Sequence, residues 1–128
     1  MNLNEVVQRA TAVLEQRRAR KTEKVYIKSL DADIEFHGLT PDEREDILDT
    51  TRGSSRNRLK RLVYAASDDL RKIALELANN KVIGAYEDVV DLFSETDLLT
   101  LVGLVNTLSG IGDKESDLII GKREAVKN

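Results

Sequence analysis

The spacing of apolar residues changes along the chain, and each change marks a different predicted element. The first segment has apolar residues at i, i+3, i+4, i+7, i+10 and i+11, which predicts one amphipathic helix with a polar opposite face. The members of this stripe are Leu3, Val6, Val7, Ala10, Val13 and Leu14. Further along, the period falls to two residues, which is typical of half-buried strands.

Two alternating segments predict an antiparallel β-hairpin at about residues 24–38. Val25 and Ile27 belong to the first strand, and Ile34 and Phe36 belong to the second. The sequence 31–33, Asp-Ala-Asp, has the composition of a turn. The hairpin therefore supplies the strands of an otherwise helical chain.

Capping signals divide the remaining sequence into helices. Thr40 and Glu43 have the spacing of a capping box, with Pro41 at the first helical position. Ser67 and Ser94 are candidate N-caps of two later helices. These signals predict a bundle of about four to five helices after the hairpin, and hence a predominantly helical α+β fold.

Aromatic residues occur at helical spacing in a short segment after Gly84. Tyr86, Val89, Val90 and Phe93 fall on one helical face, at i, i+3, i+4 and i+7. Tyrosine and phenylalanine in such a pattern are expected in the hydrophobic core rather than in a ligand platform.

The segment 98–108 has the widest apolar face in the chain. At 100° per residue its apolar arc spans roughly 220°, whereas packing against one surface requires about 100°. We expect part of this face to be core and one flank to contact a partner or a second copy; the alternative is a central helix packed on both sides. The residues expected in the core are Leu98, Leu101, Val102 and Val105. The candidate partner-binding residues are Leu99, Leu104 and Leu108.

The length of 128 residues is that of one domain, which we expect to span residues 1–112. Residues 113–128 are predicted to form a polar, mobile tail, with a short helix or binding segment around residues 118–120. The first residues are too polar for a signal peptide, and the longest apolar run is shorter than the roughly 20 residues that span a bilayer.

Residues suited to catalysis or metal binding are scarce. There is no cysteine and a single histidine, His37, which is expected at the surface of a strand. The Gly110-Ile111-Gly112 segment lacks the Lys-Ser/Thr ending of a phosphate loop and follows a helix rather than a strand. We therefore expect a protein without enzymatic activity, cofactor or metal, and the lack of cysteine suits a reducing cytoplasm.

Two basic segments, 17–21 and 56–61, favour an alternative function as a small nucleic-acid-binding regulator. The net charge is +2 over residues 1–66 and −5 over residues 67–128. This asymmetry is mild for a nucleic-acid-binding domain, and the helix that would cross the phosphate backbone before segment 56–61 is acidic. A self-assembling adaptor without a client is a third interpretation.

Three segments resemble a known family. Ile34 to Leu48, in which a strand leads into a capped acidic helix, resembles the corresponding segment of XkdN-like phage tail assembly chaperones. Arg61 to Leu70 and Ala85 to Gly110 are similar to later helices of that family. The resemblance implies a non-enzymatic protein of the bacterial host cytoplasm. It implies binding to the tape measure protein, and contact with the tail-tube protein or a second copy, without a membrane.

Overall fold

The computed structural model describes residues 1–111. It has five α-helices, one 3-10 helix and one β-hairpin over these residues, which confirms the predominantly helical α+β fold. In chain order the elements are α1 (Leu3–Arg18), β1 (Thr22–Ile27), β2 (Ala32–His37), α2 (Pro41–Thr50), α3 (Ser55–Ala65), α4 (Asp68–Asn79), the 3-10 helix (Tyr86–Leu92) and α5 (Glu95–Leu108). The tail predicted at residues 113–128 lies outside the described residues.

The helix starts follow the local capping chemistry of the sequence. The Thr40 hydroxyl accepts the Glu43 amide at 3.2 Å, and the Glu43 carboxylate accepts the Thr40 amide at 3.0 Å. This reciprocal pair is the predicted capping box, with Pro41 opening α2. Ser67 and Ser94 likewise cap α4 and α5, each accepting an amide three residues further along at 3.2 Å.

The second strand fixes the hairpin to the helices. β1 and β2 are antiparallel, with Val25 opposite Ile34. On the outer edge of β2, the Glu35 amide donates to the Asp69 carboxylate at 2.8 Å, and the Ser67 hydroxyl donates to the Glu35 carbonyl at 2.7 Å. The junction of α3 and α4 therefore satisfies backbone groups that a third strand would otherwise pair.

The core lies between β2, α3, α4, the 3-10 helix and α5. Leu98, Leu101 and Val105 of α5 are buried as expected, and Val102 is partly buried. The buried apolar residues from the other elements and their connections are Ile34, Phe36, Leu39, Leu62, Val63, Ala66, Leu70, Ala74, Val89, Val90 and Phe93.

The expectation that Tyr86 belongs to the core is wrong. Its segment is a 3-10 helix rather than an α-helix, and Tyr86 is the first residue of that helix. Val89, Val90 and Phe93 are buried, whereas Tyr86 remains half exposed.

The chain after β2 passes very close to the end of α5. A β-carbon added to Gly38 would lie 2.3 Å from the carbonyl oxygen of Leu108, closer than any real contact of this kind. The Leu39 amide donates to the Ser109 hydroxyl at 2.8 Å, and that hydroxyl donates to the Val105 carbonyl at 2.6 Å. Glycine thus permits a backbone-to-backbone junction that holds α5 against the hairpin.

Candidate protein-binding surfaces

The N-terminal helix α1 exposes its whole apolar stripe. None of its residues is buried, and all of residues 1–24 are solvent exposed. The larger stripe residues range in exposure from 41% for Val6 to 63% for Leu3. A helix of this length extends about 24 Å. The apolar stripe is thus left without a covering surface among residues 1–111.

Arg20 connects the base of α1 to the rest of the molecule. Its guanidinium donates to the Glu43 carboxylate at 2.9 Å and to the Gly38 carbonyl at 3.2 Å, and it lies 2.9 Å from Nδ1 of His37. The sequence predicts a surface position for His37, but only 13% of its side chain is exposed, and its Nε2 atom lies 3.9 Å from the Asp68 carboxylate. Arg20 therefore has a structural role.

The same contacts affect the acidity of Glu43. Partial burial favours the neutral acid, but hydrogen bonds from the Thr40 amide, Arg20 and the Thr40 side chain favour the carboxylate. The net effect is a pKa of Glu43 below its ordinary value. The charged form of Glu43 is therefore the one that joins the start of α2 to Arg20.

The three candidate leucines of α5 occupy different environments. Leu99 is 55% exposed. Leu104 and Leu108 are half-buried and pack against the core. Leu108 also belongs to the tight junction with Gly38. Leu99 is thus the only one of the three whose side chain is largely available to a partner without rearrangement.

An apolar groove that the sequence did not predict runs between β1 and α5. It has a volume of about 670 Å³. One wall is formed by residues 25–29, and the other by Leu92, Phe93, Asp97, Thr100 and Leu101. The predicted two-stranded hairpin could have indicated it, since each strand of such a hairpin has an outer edge that stays unpaired unless another element covers it.

The basic segment 56–61 is largely engaged by acidic residues. Arg56 lies 3.4 Å from Glu95, and Lys60 lies 3.5 and 3.1 Å from Asp88 and Asp91. Arg61 lies 3.6 Å from Glu87, beside a polar groove of about 410 Å³ between α3 and the 3-10 helix. These pairs reduce the positive potential that segment 56–61 presents to a polyanion.

The described part of the chain contains no group of three or more His, Cys, Asp or Glu side chains arranged to hold a metal ion. Over the same residues, no helix combines the length and apolar character needed to cross a membrane. Comparison of the chain with protein-family models, curated proteins and solved structures found no significant match.

Proposed function

We propose that this protein is a phage or prophage tail assembly chaperone that binds the tape measure protein and keeps it soluble during assembly of the tail tube. The observation that carries the proposal is the uncovered apolar stripe of α1. The resemblance of residues 34–48, 61–70 and 85–110 to XkdN-like chaperones supports it. In this proposal the protein acts in the bacterial host cytoplasm, without catalysis or a cofactor.

The stability of α1 depends on what covers its apolar face. An isolated helix of 16 residues is marginally stable in water, and most helices gain their stability by covering an apolar face. A long client helix with its own apolar stripe could cover α1 in the manner of a coiled coil. Asn2 caps α1 by accepting the Glu5 amide at 3.3 Å, and Arg20 fixes the other end of α1 to Glu43. Both contacts stabilise the helix before a client binds.

Leu99 is proposed as a second contact, on the body of the protein, which is the part that follows α1. Its side chain is exposed on a helix whose other side supplies Leu98 and Leu101 to the core. Leu104 and Leu108 remain proposed contacts, but their packing against the core makes polar substitutions there a poor test of binding. We therefore use α1 and Leu99 to test the function.

The test is co-expression with the proposed client, the tape measure protein of the same phage or prophage. Val6→Asp together with Ala10→Asp places two charges on the stripe. Gln8→Asp together with Ala12→Asp places two charges at the same spacing on the opposite face. We expect the first pair, and more weakly Leu99→Asp, to reduce the soluble fraction of the client, while the second pair leaves it unchanged.

Equal client solubility with the wild-type protein and the Val6/Ala10 variant would reject α1 as the client site. Equal client solubility with and without the chaperone would reject the function itself. Circular dichroism melting of each variant alone shows whether the body has stayed folded.

The alternative function, a nucleic-acid-binding regulator using segments 17–21 and 56–61, makes a different prediction. Its affinity for duplex DNA should fall steeply with salt, because each phosphate contact releases counterions. The ion pairs of Arg56, Lys60 and Arg61, and the contacts of Arg20, favour the chaperone instead. A gel-shift titration at two salt concentrations tests it, and absence of binding at low salt ends the regulator hypothesis.

A further inference from the structure

The outer edge of β1 presents unpaired backbone groups. The Gly38 amide donates to the Lys21 carbonyl at 3.0 Å, which makes residues 21 and 38 a hydrogen-bonded pair of the antiparallel ladder. Since such pairs alternate, Val25 directs its backbone toward β2, whereas Lys24 and Tyr26 direct theirs away from it. Among residues 1–111 no strand other than β2 pairs with β1.

The two edges of the hairpin therefore differ. The outer edge of β2 is closed by hydrogen bonds to Ala66, Ser67 and Asp69 of the α3–α4 junction. The outer edge of β1 borders the apolar groove of about 670 Å³. The groove runs along residues 25–27, the last three residues of β1, for about 10 Å, and continues past the turn residues 28 and 29.

The side chains beside the edge define the chemistry of a strand that would fit it. On the solvent-exposed face of the hairpin, the side chain of Lys24 lies opposite Glu35, and that of Tyr26 lies opposite Asp33. In β2, the strand that already pairs with β1, acidic residues on the solvent-exposed face thus alternate with apolar residues that face the core. A strand on the other edge meets the same lysine, with Lys28 further along. Its inward side chains enter a groove whose opposite wall includes Asp97, which disfavours acidic residues there.

We propose that the outer edge of β1 and the adjoining groove bind an extended segment of a partner protein by strand addition. The segment has apolar side chains at alternate positions that enter the groove and acidic side chains between them. Main-chain hydrogen bonds to Lys24 and Tyr26 hold the segment, and the side-chain pattern gives the selectivity. This inference does not depend on the proposed function, whose client contact is a helix on α1.

The test titrates the full-length protein with two capped peptides, Glu-Val-Glu-Val-Glu-Val and Lys-Val-Lys-Val-Lys-Val. Tyr26→Pro removes the outward amide at an edge position where proline is tolerated, and Tyr26→Thr removes the same side chain but keeps the amide. We expect the acidic peptide to bind the wild-type and Tyr26→Thr proteins, and to bind Tyr26→Pro about tenfold more weakly or not at all. The basic peptide should bind more weakly than the acidic one.

A second measurement does not depend on the folding of any variant. In the wild-type protein, the acidic peptide should slow hydrogen exchange at the amides of Lys24 and Tyr26, but not at the amide of Val25, which already faces β2. Three results overturn the proposal. The first is no binding of the acidic peptide up to millimolar concentration, and the second is equal slowing of exchange at all three amides. The third is a wild-type dimer that Tyr26→Pro converts to monomer, because a second copy of the chain would then occupy the edge of β1.

Discussion

At the junction of the hairpin, α2 and α5, the position of each residue explains why that type of residue is needed there. Gly38 must lack a side chain because the Leu108 carbonyl occupies the space of a β-carbon. Glu43 accepts hydrogen bonds from Arg20 and from the Thr40 amide on its two carboxyl oxygens, which favours its ionised form. Arg44 donates to Asn106 across the same junction. A small number of contacts thus joins segments that are far apart in the sequence.

Substitution of Gly38 by alanine should force this junction apart. We expect Gly38→Ala to lower the free energy of unfolding by about 1–3 kcal/mol, as overpacking generally does. Gly103→Ala is the matched control, because a β-carbon there meets nothing within 4 Å and the position is exposed on α5. It should raise the stability by about 0.5–1 kcal/mol. Urea denaturation measures both, and similar effects of the two substitutions would contradict the close approach.

Glu43 should make stability depend on acid pH. Because the pKa of Glu43 is lower in the folded state, the carboxylate contributes stability above its unfolded pKa, and this contribution is lost as the pH falls through the folded pKa. Glu43→Gln removes this titrating group, so the variant should lose less unfolding free energy than the wild-type protein between about pH 5 and pH 3. The difference should be less than about 1 kcal/mol, since the pair is partly solvated. Glu45→Gln, on the same helix, is the control, because it removes a carboxylate other than the one that accepts hydrogen bonds from Thr40 and Arg20.

At the scale of elements, one serine joins the hairpin to a helix start. Ser67 is fully buried, accepts the Leu70 amide as the N-cap of α4, and donates to the Glu35 carbonyl of β2. Ser94 caps α5 in the same way but is exposed. The two serines therefore separate the contribution of capping from the contribution of holding the edge of β2.

Ser67→Ala should destabilise the protein more than Ser94→Ala. Loss of a cap costs about 1 kcal/mol, and Ser67→Ala additionally leaves the Glu35 carbonyl without its serine donor, which adds about 1–3 kcal/mol. Thermal or urea unfolding of the two variants provides the comparison. If both lose the same stability, the bond from Ser67 to β2 contributes little.

At the scale of the whole molecule, the body and α1 are distinct. The core is built from β2, α3, α4, the 3-10 helix and α5 with the connections between them, whereas α1 contributes no buried residue. The stability of the fold should therefore be insensitive to charges on the stripe of α1, even where those charges abolish binding.

We expect Val6→Asp with Ala10→Asp to change the free energy of unfolding by no more than about 0.5 kcal/mol. Leu70→Ala, which truncates a fully buried residue of the body, should cost about 2–5 kcal/mol. Urea denaturation followed by circular dichroism tests both. A large loss of stability in the α1 variant would mean that α1 packs on the body in solution.

The sequence predicted those features of the fold that depend on residues close together in the chain. The capping box of Thr40 and Glu43, the hairpin and the helical bundle follow from short-range chemistry, and the burial of Leu98, Leu101 and Val105 follows from helical spacing. It did not reveal that the stripe of α1 lies uncovered, because an amphipathic pattern is the same whether it faces a core or a partner. The groove beside β1 was missed for a related reason: Val25 and Leu92 are distant in sequence and meet only in the fold.

The short connection between α1 and β1 has a kinetic consequence. Only residues 19–21 separate the end of the helix from the start of the strand, and Arg20 holds this connection in place. A protein bound along α1 is therefore retained within about 24 Å of the edge of β1. Its neighbouring segments would reach that edge at millimolar effective concentration, so even a weak strand contact would become occupied and would slow the release of the whole partner.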